Sequence, residues 1–319
     1  MAFIRDGAHF IVAGHKEPDG DCAGSQLALA SALRRLGKTV TLASAGPWKR
    51  PEIIPYKALF QQEIAPHEAS GARVIVVDCS MEERTGDLAP ALRGLPTALI
   101  DHHASGAPYG EVCYLDAAAP STTALVLALI HALGLTPTAE EAEWLFFGLA
   151  TDTGFFRHVD SGGAEVFSVA SSLVRFGASP KKVFGMINGG KTLNSRRLLA
   201  RILARAEDHC NGKLVMSTEE FEDVQSAGGE SRDSDTLYQL IQSVEGVEAI
   251  ALLRQETADT CTVGLRSRDS VDVARIAAQF GGGGHKNAAG FLTQGCLKDV
   301  YPRVLAAFEE AFLPERAGC

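Results

Sequence analysis

Short apolar runs in the first half of the chain end, again and again, on residues that carry chemistry. His9 to Ala13 is such a run, stopped by Gly14, and it reads as a buried strand. Leu29, Leu33 and Leu36 fall on one face of the helix that follows, and Gly37 supplies its stop. Val40 to Leu42 restarts a strand. Arg73 to Val77 is a β-branched strand that ends in Asp78, and Thr97 to Ile100 is another that ends in Asp101. Ser121 to Leu133 has helical character and is closed by Gly134. Thr138 and Glu141 have the spacing of a capping box for a helix running toward Thr151. Strands that alternate with helices predict an α/β fold, with a parallel sheet covered on both faces.

The pattern changes in the second half. Leu198, Leu199, Ile202 and Leu203 form the stripe of a helical connector within 180–210. Beyond it, Leu214 to Met216, Ala249 to Leu253 and Cys261 to Leu265 read as strands, and Leu237 to Val244 and Val271 to Phe280 as helices. The expected division is a parallel-sheet domain over 1–190, a connector helix over 191–210 and a smaller α/β domain over 211–319. The chain shows no internal repeat and no low-complexity segment.

Composition narrows the function classes. Of 319 residues, 46% are hydrophobic, which allows a real core. No apolar run approaches the ~18 residues of a membrane span. The start, MAFIRDGAHF, lacks a long apolar core behind basic residues, so no signal peptide is expected. The cysteines, at 22, 79, 113, 210, 261, 296 and 319, are scattered and form no CxxC pair. That suits reduced thiols in a cytoplasm better than a disulfide framework. A formal charge of −9 argues against gripping long nucleic acid through the general surface, so a nucleic-acid partner would be short and locally held.

The candidate chemistry sits at the strand ends. His15, Asp19 and Asp21 follow the first strand, with Gly20 between the two aspartates. Oxygen and nitrogen donors of this kind suit a transition metal of borderline hardness. Taken alone, the segment also reads as a polar turn with an N-capping aspartate. The recurrence changes the balance. Asp78 ends a second strand, and Asp101, His102 and His103 end a third. Asp152 follows the apolar stretch Trp144 to Ala150. In a parallel sheet these ends lie along one edge, where ligand sites form.

The ordered set HKEPDGD, VVDCS, DHH and TDTG resembles the motifs of the DHH phosphoesterase superfamily. The later GGGGHKNAAGF resembles the glycine-rich motif of its associated C-terminal domain, and the two-domain layout resembles the nanoRNase/pAp phosphatase branch. The resemblance implies an enzyme with two Mn²⁺ ions. His15, Asp19 and Asp78 would hold one ion, and Asp21, Asp78, His102 and Asp152 the other, with Asp78 bridging. Asp101 would orient a histidine ligand, and His103 would face the scissile phosphate. Cys22 would be a packed thiol.

The implied reaction is hydrolysis of short oligonucleotides, chiefly oligoribonucleotides, and of 3′-phosphoadenosine 5′-phosphate, through two-metal activation of a bridging water. The resemblance also implies a homodimer. A cyclic- or linear-dinucleotide phosphodiesterase is the alternative of the same chemistry, and a non-catalytic nucleotide sensor the alternative of another class. In the second domain, Gly282, Gly283 and Gly284 would form a loop that lets backbone N–H groups approach the substrate, with His285 and Arg266 as donors. Arg197, Arg201 and Arg205 read as a solvated helix face rather than a nucleic-acid track. Phe155 and Phe156 read as core packing for at least one ring, with base stacking as the other use.

Overall fold

The computed structural model describes residues 1–104, 106–227, 232–268 and 270–313, so Cys319 lies outside the described residues. The chain divides into two units, Met1–Gly190 and Lys191–Cys319.

The first unit contains strands β1 (His9–Ala13), β2 (Thr39–Ala43), β3 (Arg73–Val77), β4 (Thr97–Asp101) and β5 (Val112–Leu115). Its helices are α1 (Ala2–Asp6), α2 (Gly20–Arg35), α3 (Pro66–Ala69), α4 (Ala89–Leu92), α5 (Thr122–Ala132), α6 (Ala139–Asp152), α7 (Ala164–Arg175) and α8 (Pro180–Asn188). The strands form one parallel sheet in the order β2-β1-β3-β4-β5. Alternate residues serve opposite faces. Phe10, Val12, Ile75, Val77, Ala98 and Ile100 join the core beneath α2, α5 and α6. Ile11, Val74, Val76 and Leu99 join a smaller core with Leu88 and Leu92 on the other face. Both faces are buried, which is why these strands read as continuous apolar runs.

Local signals set the helix ends. Ser121 caps α5 by accepting from Ala124 N, and Thr138 and Glu141 form the reciprocal capping box of α6. Gly37, at φ 75°, follows the end of α2. Strand β5, which no pattern in the sequence predicts, lies at the sheet edge with Val112, Tyr114 and Leu115 exposed.

The second unit contains α9 (Leu193–Ala204), β6 (Glu207–His209), β7 (Leu214–Glu219), α10 (Phe221–Ser226), α11 (Ser234–Gln242), β8 (Ala249–Thr257), β9 (Thr260–Ser267), α12 (Val273–Gln279), β10 (Gly283–His285), β11 (Ala288–Gln294) and α13 (Leu297–Phe312). Its sheet has the order β10-β11-β9-β8-β7-β6 and is mixed, with β7 and β8 parallel and the other pairs antiparallel. Leu198 and Ile202 of α9, the helix read as a connector, pack with Val215, Leu237, Ile241, Ile250 and Leu252 of this unit. Val273, Ile276, Val300, Val304 and Phe308 cover the opposite face.

The glycine run is not the open loop expected from its composition. Gly283 and Gly284 belong to β10, which pairs with β11 through Gly283–Gly290, Gly284–Ala289 and His285–Ala288. A Cβ at Gly284 would stand 2.5 Å from Ala288 O and 2.6 Å from Ala289 Cα, so the hairpin closes only with glycine there.

Contact between α2 and α6 depends on Gly24 in a similar way. A Cβ there would stand 2.5 Å from the carbonyl oxygen of Trp144. Gly24→Ala is expected to force the helices apart and to cost about 1–3 kcal/mol in urea unfolding, with an unchanged m-value. Wild-type stability in this variant would show that the helix pair tolerates displacement.

Candidate metal centre

Sheet register brings the chemistry together. β1 and β4 flank β3, with Ala13 opposite Val76 and Val77 opposite Ile100. The loop after β1, Asp78 after β3 and the Asp101–His103 segment at the end of β4 therefore open onto one edge. Helix α6 delivers Asp152 as its last residue.

Asp19 is the N-cap of α2, as the turn reading of this segment allows. Its Oδ1 accepts from Asp21 N at 3.1 Å and Cys22 N at 3.0 Å. The same oxygen faces His15 Nε2 at 3.8 Å, so Asp19 serves both readings. His15 Nδ1 bonds the Lys16 carbonyl oxygen at 2.8 Å, which turns Nε2 toward Asp78 Oδ2 at 3.4 Å. His102 repeats the device. Its Nδ1 meets the Ala119 carbonyl oxygen at 3.3 Å, and its Nε2 faces Asp152 Oδ2 at 3.6 Å and Asp21 Oδ2 and Asp78 Oδ1 at 3.9 Å. Asp78 thus stands between two groups, with His15 on its Oδ2 side and His102 on its Oδ1 side. It adopts φ 58°, a left-handed conformation uncommon for a non-glycine residue, while its N–H bonds Ile100 O at 2.9 Å.

Asp101 holds His103 rather than His102. Its Oδ1 accepts from His103 Nδ1 at 2.7 Å and from His103 N at 3.1 Å. That contact leaves Nε2 of His103 as the outward nitrogen. The hydrogen bond that His103 donates to Asp101 raises the His103 pKa against the opposing effect of burial.

Among the described residues, three sets of potential ligand atoms each fall within 4.8 Å of one another: His15, Cys22 and Asp78; Asp78, His102 and His103; and Asp21, His102 and Asp152. Electrostatics favours a cation here. Burial, then the charges of Asp78 and Asp152, push Asp21 well above the usual carboxylate range. Burial pushes Asp152 up to about 6 despite the attraction of His102, with Asp78 and Asp19 adding to the rise. Burial works against the charge on Asp19 as well, but the facing His15 holds it down at about 2. Carboxylates this crowded are relieved by positive charge. Burial raises the Cys22 thiol to about 11, and its Sγ lies 3.6 Å from Gln26 Oε1, which fits a neutral packed thiol. The remaining oxygen and imidazole donors fit borderline divalent ions.

Residues that the sequence reading passed over complete the site. Thr122 N and Thr123 N donate to Asp21 Oδ2 and Oδ1 at 2.7 and 2.9 Å, and Thr122 Oγ1 donates to Asp78 Oδ1 at 2.8 Å. The segment reads from sequence only as a helix start, and nothing in its spacing announces a contact about 100 residues away.

In the second unit, Arg266 pairs across the sheet with Ala288, which in turn pairs with His285, so the two predicted donors share one cross-strand row. The Arg266 guanidinium lies 4.5 Å from the Tyr238 ring centroid and also donates to the Leu265 carbonyl. Gly282 directly precedes the hairpin strand. Arg201 and Arg205 form ion pairs with Asp223, and Arg197 reaches Asn194. Phe155 and Phe156 both pack edge-on against the buried Phe146, while Phe167 and Phe184 beside them are half exposed.

Each unit of the chain has relatives among known proteins. Residues 9–149 match the model of the DHH family, N-terminal domain, and residues 211–313 match the DHHA1 domain. A bifunctional oligoribonuclease and PAP phosphatase NrnA of Thermus thermophilus is 31% identical over 312 residues, spanning 96% of this chain and 90% of that protein. A protein of the same name from Bacillus subtilis is 26% identical over 282 residues, spanning 86% of each chain. The crystal structure of an exopolyphosphatase-related protein from Bacteroides fragilis shares the fold, with a TM-score of 0.83 at 23% identity, covering 97% of this chain and 93% of that one.

Added Mn²⁺ is expected to raise the melting temperature, because an ion held by the folded site stabilises it by about 2.7 kcal/mol at a hundred times its Kd. Asp78→Asn takes charge from both sides of the cluster and should remove most of that rise. Scanning fluorimetry across a Mn²⁺ titration checks both. An equal rise in the variant would place the ion elsewhere.

Proposed function

The chain belongs to the DHH family, and on that premise we propose that it is a manganese-dependent phosphoesterase of short oligoribonucleotides and 3′-phosphoadenosine 5′-phosphate. The observation that carries the proposal is the position of Asp78 between two donor groups. On its Oδ2 side, His15 and Asp19 would hold one divalent ion with it. On its Oδ1 side, Asp21, His102 and Asp152 would hold the other. Asp19, Asp21, Asp78 and Asp152 together balance the formal charge of two divalent cations. Such ions supply Lewis acidity and lower the pKa of water at the site.

The chain's own groups do the rest. His15 and His102 are each fixed by a backbone carbonyl in the tautomer that offers Nε2 to the cluster. His103, anchored through Nδ1 to Asp101, can when protonated donate from Nε2 to a phosphate oxygen as charge develops. Arg266 and His285, in one row of the second unit's sheet, are suited to contact parts of the substrate away from the scissile bond. The substrate class comes from the names of the relatives and is consistent with the negative charge of the chain.

Hydrolysis in Mn²⁺ across dinucleotides, longer RNA, 3′-phosphoadenosine 5′-phosphate and cyclic dinucleotides tests the reading. The expected order places short RNA above long strands in kcat/KM, with Asp78→Asn nearly inactive. Equal efficiency on long strands would contradict the short-substrate assignment. A preference for cyclic dinucleotides would move the substrate class.

Division of labour between the units is open to a paired measurement. Arg266→Ala and His285→Ala should bind Mn²⁺ normally yet lose about tenfold to a hundredfold in kcat/KM on nucleotides, the value of one charge-assisted hydrogen bond. Bis-p-nitrophenyl phosphate, which lacks the distal groups, should be much less affected. Equal loss on both substrates would assign these residues to the chemical step.

A further inference from the structure

The start of α5 is built around carboxylates from other parts of the chain. A helix start leaves backbone N–H groups without partners inside the helix. Ser121 Oγ accepts one of them, from Ala124 N, and also pairs with Thr123 Oγ1 at 2.7 Å. The N–H groups of Thr122 and Thr123 go instead to Asp21, one to each oxygen. Thr122 adds its hydroxyl, which donates to Asp78 Oδ1 at 2.8 Å. Ser121, Thr122, Thr123, Asp21 and Asp78 are all at most 2% exposed, so water does not compete for these bonds.

The torsion that turns a carboxylate about its last bond is broad and roughly two-fold, so burial alone does not set its plane. The histidines stand 3.4–3.9 Å from Asp78 and leave room for it to turn. Thr122 Oγ1 is the nearer contact, and it directs one lone pair of Oδ1 away from the cluster. The remaining lone pair of Oδ1 then faces His102, and Oδ2 faces His15.

We propose that Thr122 is a positioning residue for the metal centre, whose hydroxyl fixes the Asp78 carboxylate in the plane that lets it serve both ions. The proposal rests on the metal-centre reading given above. It deepens that reading by placing the control of Asp78 outside the aspartate and histidine motifs. Because Thr122 also holds Asp21 through its backbone, one residue links a carboxylate after β1 to one after β3. The backbone part survives substitution, so the hydroxyl can be tested by itself.

The test titrates Mn²⁺ into the full-length protein and follows free Mn²⁺ by electron paramagnetic resonance. Thr122→Val removes the hydroxyl at nearly constant shape, and Thr122→Ser keeps it. Thr122→Ala, compared with Thr122→Ser, gives nearly the same loss of volume with and without the hydroxyl, which covers the case in which valine does not fold. Outer partners of metal ligands are typically worth about tenfold to a hundredfold in affinity, and that weakening is expected for Val and Ala. Ser is expected to stay near wild type, and the Mn²⁺ concentration for half-maximal hydrolysis should shift in parallel. Equal Mn²⁺ affinity in the Ala and Ser variants, with wild type binding normally, would overturn the role of Thr122. Failure of the wild type itself to take up Mn²⁺ would overturn the metal-centre reading, and this proposal with it.

Discussion

The hydrogen bonds from the start of α5 to Asp21 and Asp78 hold carboxylates together in a space where they repel one another. Hydrogen bonds to charged groups are worth about 1.5–3 kcal/mol each, and leaving such a group buried without one costs more than the bond contributes. Asp21 has two backbone donors and Asp78 has a hydroxyl. Burial, and after it the charges of Asp78 and Asp152, raise the Asp21 pKa even with these donors in place. The centre brings more carboxyl groups than histidines into one buried space. Its donors keep a geometry that could hold a cation.

The parallel sheet makes this concentration possible. Strands of one direction end at one edge, and the register of β3 with β4 places Asp78 and Asp101 at the same level. The left-handed φ of Asp78 has a cost of about 1–3 kcal/mol, and the bond from its N–H to Ile100 O keeps it tied to the ladder at that point. Helices α2 and α6 meet closely enough, through Gly24, to cover the apolar face beneath the site. The core thus supplies the rigidity on which ligand geometry depends.

The second unit shows another use of buried charge. Glu219, 1% exposed, lies between Arg232, at 2.5 Å, and Arg254, at 3.4 Å, and Arg232 also reaches Glu256 at 3.0 Å. Here opposite charges are paired within the protein, so the network needs no ion from outside. The contrast with the aspartates of the first unit is one of composition. Where arginine is present the charges close on themselves, and where only histidine is present they remain open to a metal.

Much of this was legible in the amino-acid sequence. Strands β1 and β3 are apolar runs stopped by Gly14 and Asp78, and the α6 capping box is a local arrangement of Thr138 and Glu141, so each carries its signal within a few residues. The aspartates and histidines at the strand ends were legible for the same reason. What the sequence alone could not determine depends on contacts between distant segments. The glycine run became part of a hairpin because β11 lies against it, and β5 formed because β4 offered it an edge. Asp101 could have met either adjacent histidine, and the turn after β4 chose His103. Thr122 read only as part of the helical segment that begins at Ser121. Its role came from packing, because a hydroxyl acquires direction from what is buried opposite it, and that is decided only when α5 docks on the sheet.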